Sequence, residues 1–334
     1  MSTSTATQPQ TGAVEIPLTR GITVRAKTWG NPDNERILAV HGWLDNANSF
    51  DLIAPPLAEN HYVVCIDLPG HGESDYYPPY SNYYLWEAVS DLSQVAEGLG
   101  WVQRQDNGQL AGKFTLLGHS LGGHISLMYA GTFPEHLKRL LVIESLGPTN
   151  FLKDEAEDLE NFIRTRQAAE ASLAKKALYK SIEEACQART RGLTKISLDA
   201  AKVLCERGLR EVPLEDKDKR QQDGGSETAV DGPETSQVAY TWTSDKRLLL
   251  RQFFRWSEIT VLSFLKRISC PVLLIMGEDS ILWKANQESS EWTDRLRAIE
   301  QLTKVDLPGG HHLHLEADTS AAVVESLLRY LQSA

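Results

Sequence analysis

The chain has 334 residues, a formal net charge of -11, 41% hydrophobic residues and 24% charged residues. That composition fits a globular protein with a substantial core, either one large α/β domain or a core with a subsidiary domain. The acidic balance, with no Lys/Arg run interleaved with aromatics, excludes a nucleic-acid binder, and no apolar run is long enough for a membrane span.

The polar stretch Met1 to Gly12 has no basic and apolar signal pattern and is expected to be a disordered leader, residues 1–12. Ile16 to Trp29 alternates and reads as one or two antiparallel edge strands, with Ile22, Val24 and Ala26 on one face. Ile37 to Val40 is a continuous apolar run ending at His41-Gly42, the pattern of a strand buried on both faces, and Tyr62 to Asp67 is the next. A glycine-rich loop, Leu68 to Ser74, follows. Tyr84 to Leu99 carries a helical stripe through Leu85, Ala88, Val89, Leu92, Val95, Ala96 and Leu99. Lys113 to Leu117 and Leu140 to Ile143 are further buried strands. Strands alternating with helices imply a mostly parallel sheet with helices on both faces.

The rhythm breaks at Gly147-Pro148. Residues 148–267 read as an inserted helical cap, its first helix over Glu155 to Ala171, with a flexible acidic loop at about 211–237. The sheet resumes at Cys270 to Met276 and Leu302 to Leu307, and an amphipathic helix over Ala321 to Leu331 closes the chain. Residues 13–147 and 268–334 therefore form the core. Cys65, Cys186, Cys205 and Cys270 are far apart and lack metal spacing, which predicts buried reduced thiols and a cytoplasmic or comparable compartment.

The most informative stretch is Phe114 to Gly123, an apolar strand, a sharp turn carrying Ser120, and the start of a helix. In that context Gly118-His119-Ser120-Leu121-Gly122 is a nucleophile elbow, whose glycines keep side chains out of the tight reversal. A serine nucleophile needs a base. Pro308-Gly309-Gly310-His311-His312 follows the last strand, and His311 is the choice, with His312 and His314 as alternates. The third member is a carboxylate that orients the histidine. Glu144 and Asp279, each at the end of a core strand, both qualify by position. The backbone N–H groups of Trp43 and Leu121, each just past a strand end, are candidate oxyanion donors. Asp67 reads as a turn-stabilising carboxylate. No Asp/Glu/His set has convincing ligand spacing, so no metal and no cofactor are expected.

These motifs resemble the α/β-hydrolase superfamily and, within it, are most similar to the serine hydrolase-like proteins, capped members with an HGWLDN-type loop after the third strand. The likeness rests on His41 to Asn46, Asp67 to Ser74, Gly118 to Gly123 and Pro308 to His311. It covers Arg36 to Leu146 and Cys270 onward well, and the cap poorly. The resemblance implies an α/β-hydrolase fold with an eight-stranded core sheet, a Ser/acid/His triad, and Trp43 and Leu121 at the oxyanion hole. Similar haloalkane dehalogenases and epoxide hydrolases carry aspartate at the elbow, so serine here argues against those chemistries. Many relatives place the acid in a Gly-x-x-Asp arrangement, but Asp279 follows Gly277 by only two residues. Others place a glutamate 24 residues past the nucleophile, and Glu144 stands 24 residues past Ser120. Glu144 is therefore favoured and Asp279 is the alternate.

The resulting expectation is a serine hydrolase acting on a small-molecule carboxylic ester or thioester with an apolar acyl or aryl group, as a monomer or homodimer. Hydrolysis of a C–C, amide or peptide bond by the same triad, or ligand binding without catalysis, are the alternatives.

Overall fold

A computed structural model describes residues 11–106, 108, 110–148, 155–172, 177–213, 238–250, 256–281, 284 and 289–333. The strands are β1 (Thr11–Pro17), β2 (Thr23–Trp29), β3 (Glu35–Val40), β4 (His61–Ile66), the short β5 (Gln103–Arg104) and β6 (Leu110–Ala111), β7 (Phe114–His119), β8 (Leu137–Ile143), β9 (Leu209–Pro213), β10 (Val238–Trp242), β11 (Val272–Gly277) and β12 (Leu302–Leu307). Eight of them form one sheet in the order β1-β2-β4-β3-β7-β8-β11-β12. The β1-β2 and β2-β4 pairs are antiparallel and the remainder parallel. This is an α/β-hydrolase architecture, as expected.

The central strands have apolar side chains on both faces because both faces are covered. Leu38, Val40, Val64, Ile66, Leu116, Leu140, Val142, Leu274 and Met276 join a core with helices α2 (Leu85–Gly98) and α3 (Leu121–Thr132). Their alternates Ile37, Ala39, Val63, Cys65, Leu117, Leu141, Ile143, Leu273 and Ile275 face the opposite core, with the short helix α1 (Ala54–Leu57) and Val323, Leu327 and Leu331 of the last helix. All four cysteines are buried and free.

Two expectations need correction. β1 starts at Thr11, which pairs with Trp29, so Thr11 and Gly12 belong to the first hairpin and not to a disordered leader. The strand is polar and exposed at that end, which hid it; its ladder to β2 supplies what its side chains do not. Residues 1–10 lie outside the described residues.

The second correction concerns the segment between β8 and β11. It contains helices α4 (Glu155–Ser172), α5 (Ile182–Thr190), α6 (Leu198–Gly208) and α7 (Glu258–Leu265), but also an antiparallel hairpin of β9 with β10. Glu211 to Pro213, read as loop, are strand. β9 is half exposed and charged, and its pairing with β10, where Ala239 and Thr241 are buried, is what orders it. The acidic stretch Glu215 to Glu234 lies outside the described residues. Ser181, Ser197 and Ser257 cap α5, α6 and α7 by accepting a main-chain N–H three residues on, and so fix where each begins. A small core of Cys186, Ile196, Ala200, Ala201, Leu204 and Cys205 closes over Leu315, past the end of β12. Helices α8 (Ser290–Ala298) and α9 (Ser320–Gln332) complete the fold. No described helix is long and apolar enough to cross a membrane.

The elbow depends on close backbone approach. A Cβ on Gly122 would lie 2.0 Å from the Val40 carbonyl oxygen, and one on Gly118 would lie 2.5 Å from that of Gly122. Gly310, by contrast, has nothing within 4 Å of such a position. Gly122→Ala should therefore cost at least about 1–3 kcal/mol by forcing α3 away from β3. Gly310→Ala should leave the thermal midpoint nearly unchanged. Equal midpoints for the two variants in thermal unfolding would refute this account of the elbow.

Candidate active site

The sheet delivers its functional side chains to the carboxyl ends of the parallel strands. Ser120 follows β7 with φ +51° and ψ -113°, a conformation that non-glycine residues rarely adopt. Its N–H is held by the Ile143 carbonyl at 3.0 Å, and its own carbonyl accepts the His124 N–H at 2.9 Å. Those bonds pin the strained residue between β8 and α3.

His311 reaches Ser120 from the loop after β12, with Nε2 2.9 Å from Oγ. Its Nδ1 is 3.0 Å from Glu144 Oε2. Glu144 is fully buried at the end of β8 and also has positive φ, +58°. Its Oε1 accepts the Gly277 N–H at 2.6 Å, and Oε2 accepts the Ser280 hydroxyl. A buried carboxylate needs such partners, and here they come from the end of β11 and the loop after β12. Three of the residues singled out in the sequence are thus brought into one hydrogen-bonded line.

Asp279, the alternate acid, is not among them. Its side chain is 74% exposed and pairs with Lys284 at 3.0 Å. The turn after β11 directs Ser280 inward to Glu144 and leaves Asp279 in solvent. The sequence reasoning missed Ser280 and the Gly277 N–H; the nearest signal was a small polar residue one place beyond the expected acid. His312 and His314 do not face Ser120. His312 Nε2 lies 3.1 Å from Asp45 Oδ2, and His314 Nε2 lies 3.0 Å from the Ser49 hydroxyl.

Asp67 is structural, as read. One carboxylate oxygen accepts the Ala47 N–H at 2.7 Å, and the other accepts from Glu73 N at 2.8 Å and Arg207 Nε at 2.7 Å. It therefore ties two strand-end loops to α6. Trp43 and Leu121 both border the space beside Ser120. Trp43 donates its indole N–H to the Leu248 carbonyl at 3.1 Å, linking the loop after β3 to the inserted segment.

Ser120, His311, Trp43 and His124 line a cavity of about 920 Å³ roofed by Tyr179, Arg189 and other residues of the inserted segment. A smaller cavity of about 290 Å³ shares Trp43 and His124 with it and is walled by Leu68, Tyr77, Leu121 and Trp256 among others. The smaller chamber is predominantly apolar.

The sequence of residues 35–318 matches the family model of the alpha/beta hydrolase fold. The chain belongs to that family. A serine hydrolase-like protein of Dictyostelium discoideum is 29% identical over 324 residues, covering 95% of this chain and 81% of that protein. Serine hydrolase-like protein 2 of Homo sapiens is 28% identical over 330 residues, covering 92% and 90% respectively. The crystal structure of a hypothetical protein from Pseudomonas aeruginosa PAO1 is similar with a TM-score of 0.76 at 32% identity, covering 98% of this chain and all of that one. An α/β hydrolase similar to serine hydrolase-like proteins is thus what the sequence and the fold describe together.

Around the site of this α/β hydrolase His41, His71 and His314 are buried, and His124 is partly buried. Burial pushes His41 down to about 4, with Arg207 adding to it, and His71 down to about 3, where His41 adds to it. Burial likewise takes His124 down to about 3, helped by Arg295, and His314 to about 3, helped by His312. Each is therefore neutral in the folded protein where the unfolded chain, near 6.5, already binds a proton. The unfolded state holds more protons below 6.5, so stability falls as pH falls from there toward 4. Each such histidine contributes up to about 1.4 kcal/mol of loss per pH unit in that window. Urea midpoints measured from pH 7.5 to 5 should fall steeply, and His71→Asn should flatten the slope. A midpoint independent of pH over that range would contradict the burial of these rings.

Proposed function

We propose that this chain is a serine hydrolase of carboxylic esters or thioesters with an apolar acyl or aryl group, acting through an acyl-enzyme. The observation that carries the reading is the line of contacts from Ser120 Oγ through His311 to Glu144. A carboxylate accepting Nδ1–H fixes the tautomer that leaves Nε2 free to take the serine proton.

In this reading His311 Nε2 accepts the Ser120 proton as Oγ attacks the acyl carbon, and Glu144 stabilises the imidazolium that results. The backbone N–H groups of Leu121 and Trp43 hold the oxyanion. His311 then protonates the leaving oxygen or sulfur, and later activates the water that releases the acid. Residues 148–267 act as a cap on a core of residues 13–147 and 268–334. The apolar acyl group occupies the smaller chamber beside Leu121, and the leaving group occupies the larger cavity. The apolar walls of Leu68, Tyr77, Leu121 and Trp256 support this division.

The test is turnover of a p-nitrophenyl ester series of increasing acyl length. Apolar acyl groups should be preferred over small polar ones. Ser120→Ala and His311→Ala should each lower kcat by about 10³-fold or more, and Glu144→Gln should lower it by about 10²-fold or more, with the fold retained. Ester turnover unchanged in Ser120→Ala would overturn the assignment. Labelling of Ser120 by a fluorophosphonate without turnover of any ester would redirect the same residues to amide or C–C bonds.

A further inference from the structure

Beside His311, Asp45, His119 and His312 converge from the carboxyl ends of β3, β7 and β12. One donor atom from each lies within 4.8 Å of the other two. All three residues are buried. Asp45 Oδ2 is 3.6 Å from His119 Nδ1 and 3.1 Å from His312 Nε2. Its other oxygen is engaged by Arg189 at 3.1 Å, which turns Oδ2 toward the imidazoles.

The tautomer of His119 makes this arrangement informative. Its Nε2 lies 2.9 Å from the His311 carbonyl oxygen, which only accepts, so Nε2 carries the proton. In the neutral ring Nδ1 is then a bare lone pair. That atom is buried without a hydrogen-bond partner and faces a carboxylate oxygen. Two acceptors opposed at 3.6 Å repel each other unless a cation stands between them. The separation is what two ligands about 2.1 Å from one ion make at an angle near 118°.

Room for an ion comes from Gly42. A Cβ there would lie 2.9 Å from His119 Nδ1 and 3.0 Å from Asp45 Oδ2, so a side chain would intrude on the space that glycine leaves clear. All three ligand residues and Gly42 also border the large cavity, which supplies an entry path and a position for water.

We propose that Asp45, His119 and His312 form a binding site for a borderline divalent transition ion, best suited to Zn²⁺, through Oδ2, Nδ1 and Nε2. His312 gives up its contact to Asp45 on loading and carries its proton on Nδ1.

The experiment titrates Zn²⁺ into chelator-treated full-length protein by isothermal calorimetry. It compares the native chain with Asp45→Asn, His312→Gln, Gly42→Ala and Ser120→Ala, each checked for folding by circular dichroism. One ion per chain is expected, with affinity at least tenfold weaker in His312→Gln and Gly42→Ala and unchanged in Ser120→Ala. Gly42→Ala retains all three ligands, so it answers the question if Asp45→Asn fails to fold. No one-to-one binding, or equal binding in all variants, would overturn the site.

Discussion

The fully buried carboxylate of Glu144 sets the requirements that the end of the sheet has to meet. An ionised group in that position is tolerable only if its lone pairs are met. The partners are the Gly277 N–H, the Ser280 hydroxyl and His311 Nδ1. The first two depend on β8 and β11 lying side by side in register, with Ile143 opposite Ile275. The third depends on the loop after β12 folding back across the same edge. Ser120 and Glu144 also share a positive φ at neighbouring strand ends, a strain of order 1–3 kcal/mol each that persists only where surrounding bonds over-determine it. The Ser120 N–H held by Ile143 and the Glu144 N–H held by Ile275 are those bonds.

The inserted segment is held over this edge by arginines that meet carboxylates. Arg207 reaches Asp67, Arg189 reaches Asp45, and Arg247 pairs with Asp245, whose Oδ2 also accepts the Tyr83 hydroxyl. Arg247 further donates to the carbonyls of Tyr77, Pro78 and Ser81. Pairs as buried as Asp67 with Arg207 add little net stability over an apolar alternative. They do impose a geometry, because a displaced segment would leave Asp67 buried without its cation. The segment's position, and with it the roof of the large cavity, follows from charge pairing as much as from the small apolar core around Leu204 and Leu315.

What the sequence made legible follows from the same physics. β3, β4, β7, β8 and β11 are read to within a few residues, because strands buried on both faces must be continuously apolar; β12, a half-exposed edge strand with Leu302, Val305 and Leu307 among polar residues, is read to the residue. The elbow was legible because its glycines are required by contacts of 2.0–2.5 Å. β1 and β9 were not, since each is polar and exists through its partner strand. Glu144 was preferred over Asp279 only through spacing seen in similar proteins. The residues themselves could not show that the turn after β11 sends Ser280 inward. The cluster of Asp45, His119 and His312 has no short spacing to find. Its members are adjacent only because β3, β7 and β12 end at one edge.

The histidines around His311 bear on the proposed role of that ring as a base. His119 and His312 have ring centres 5.0–5.2 Å from it, and His119 donates to its carbonyl. A unit positive charge at 5 Å, with an effective dielectric constant near 20, opposes a second one by about 3 kcal/mol, or about two pH units in proton affinity. Burial holds His119 well below the ordinary histidine range, and the neighbouring His314, His311 and His312 add to the effect, so that charge is absent at neutral pH. His314, its ring 4.1 Å from that of His119, is likewise pushed down to about 3 by burial. Packing His119 and His314 out of water therefore places uncharged polar rings beside His311, one of which holds its backbone carbonyl.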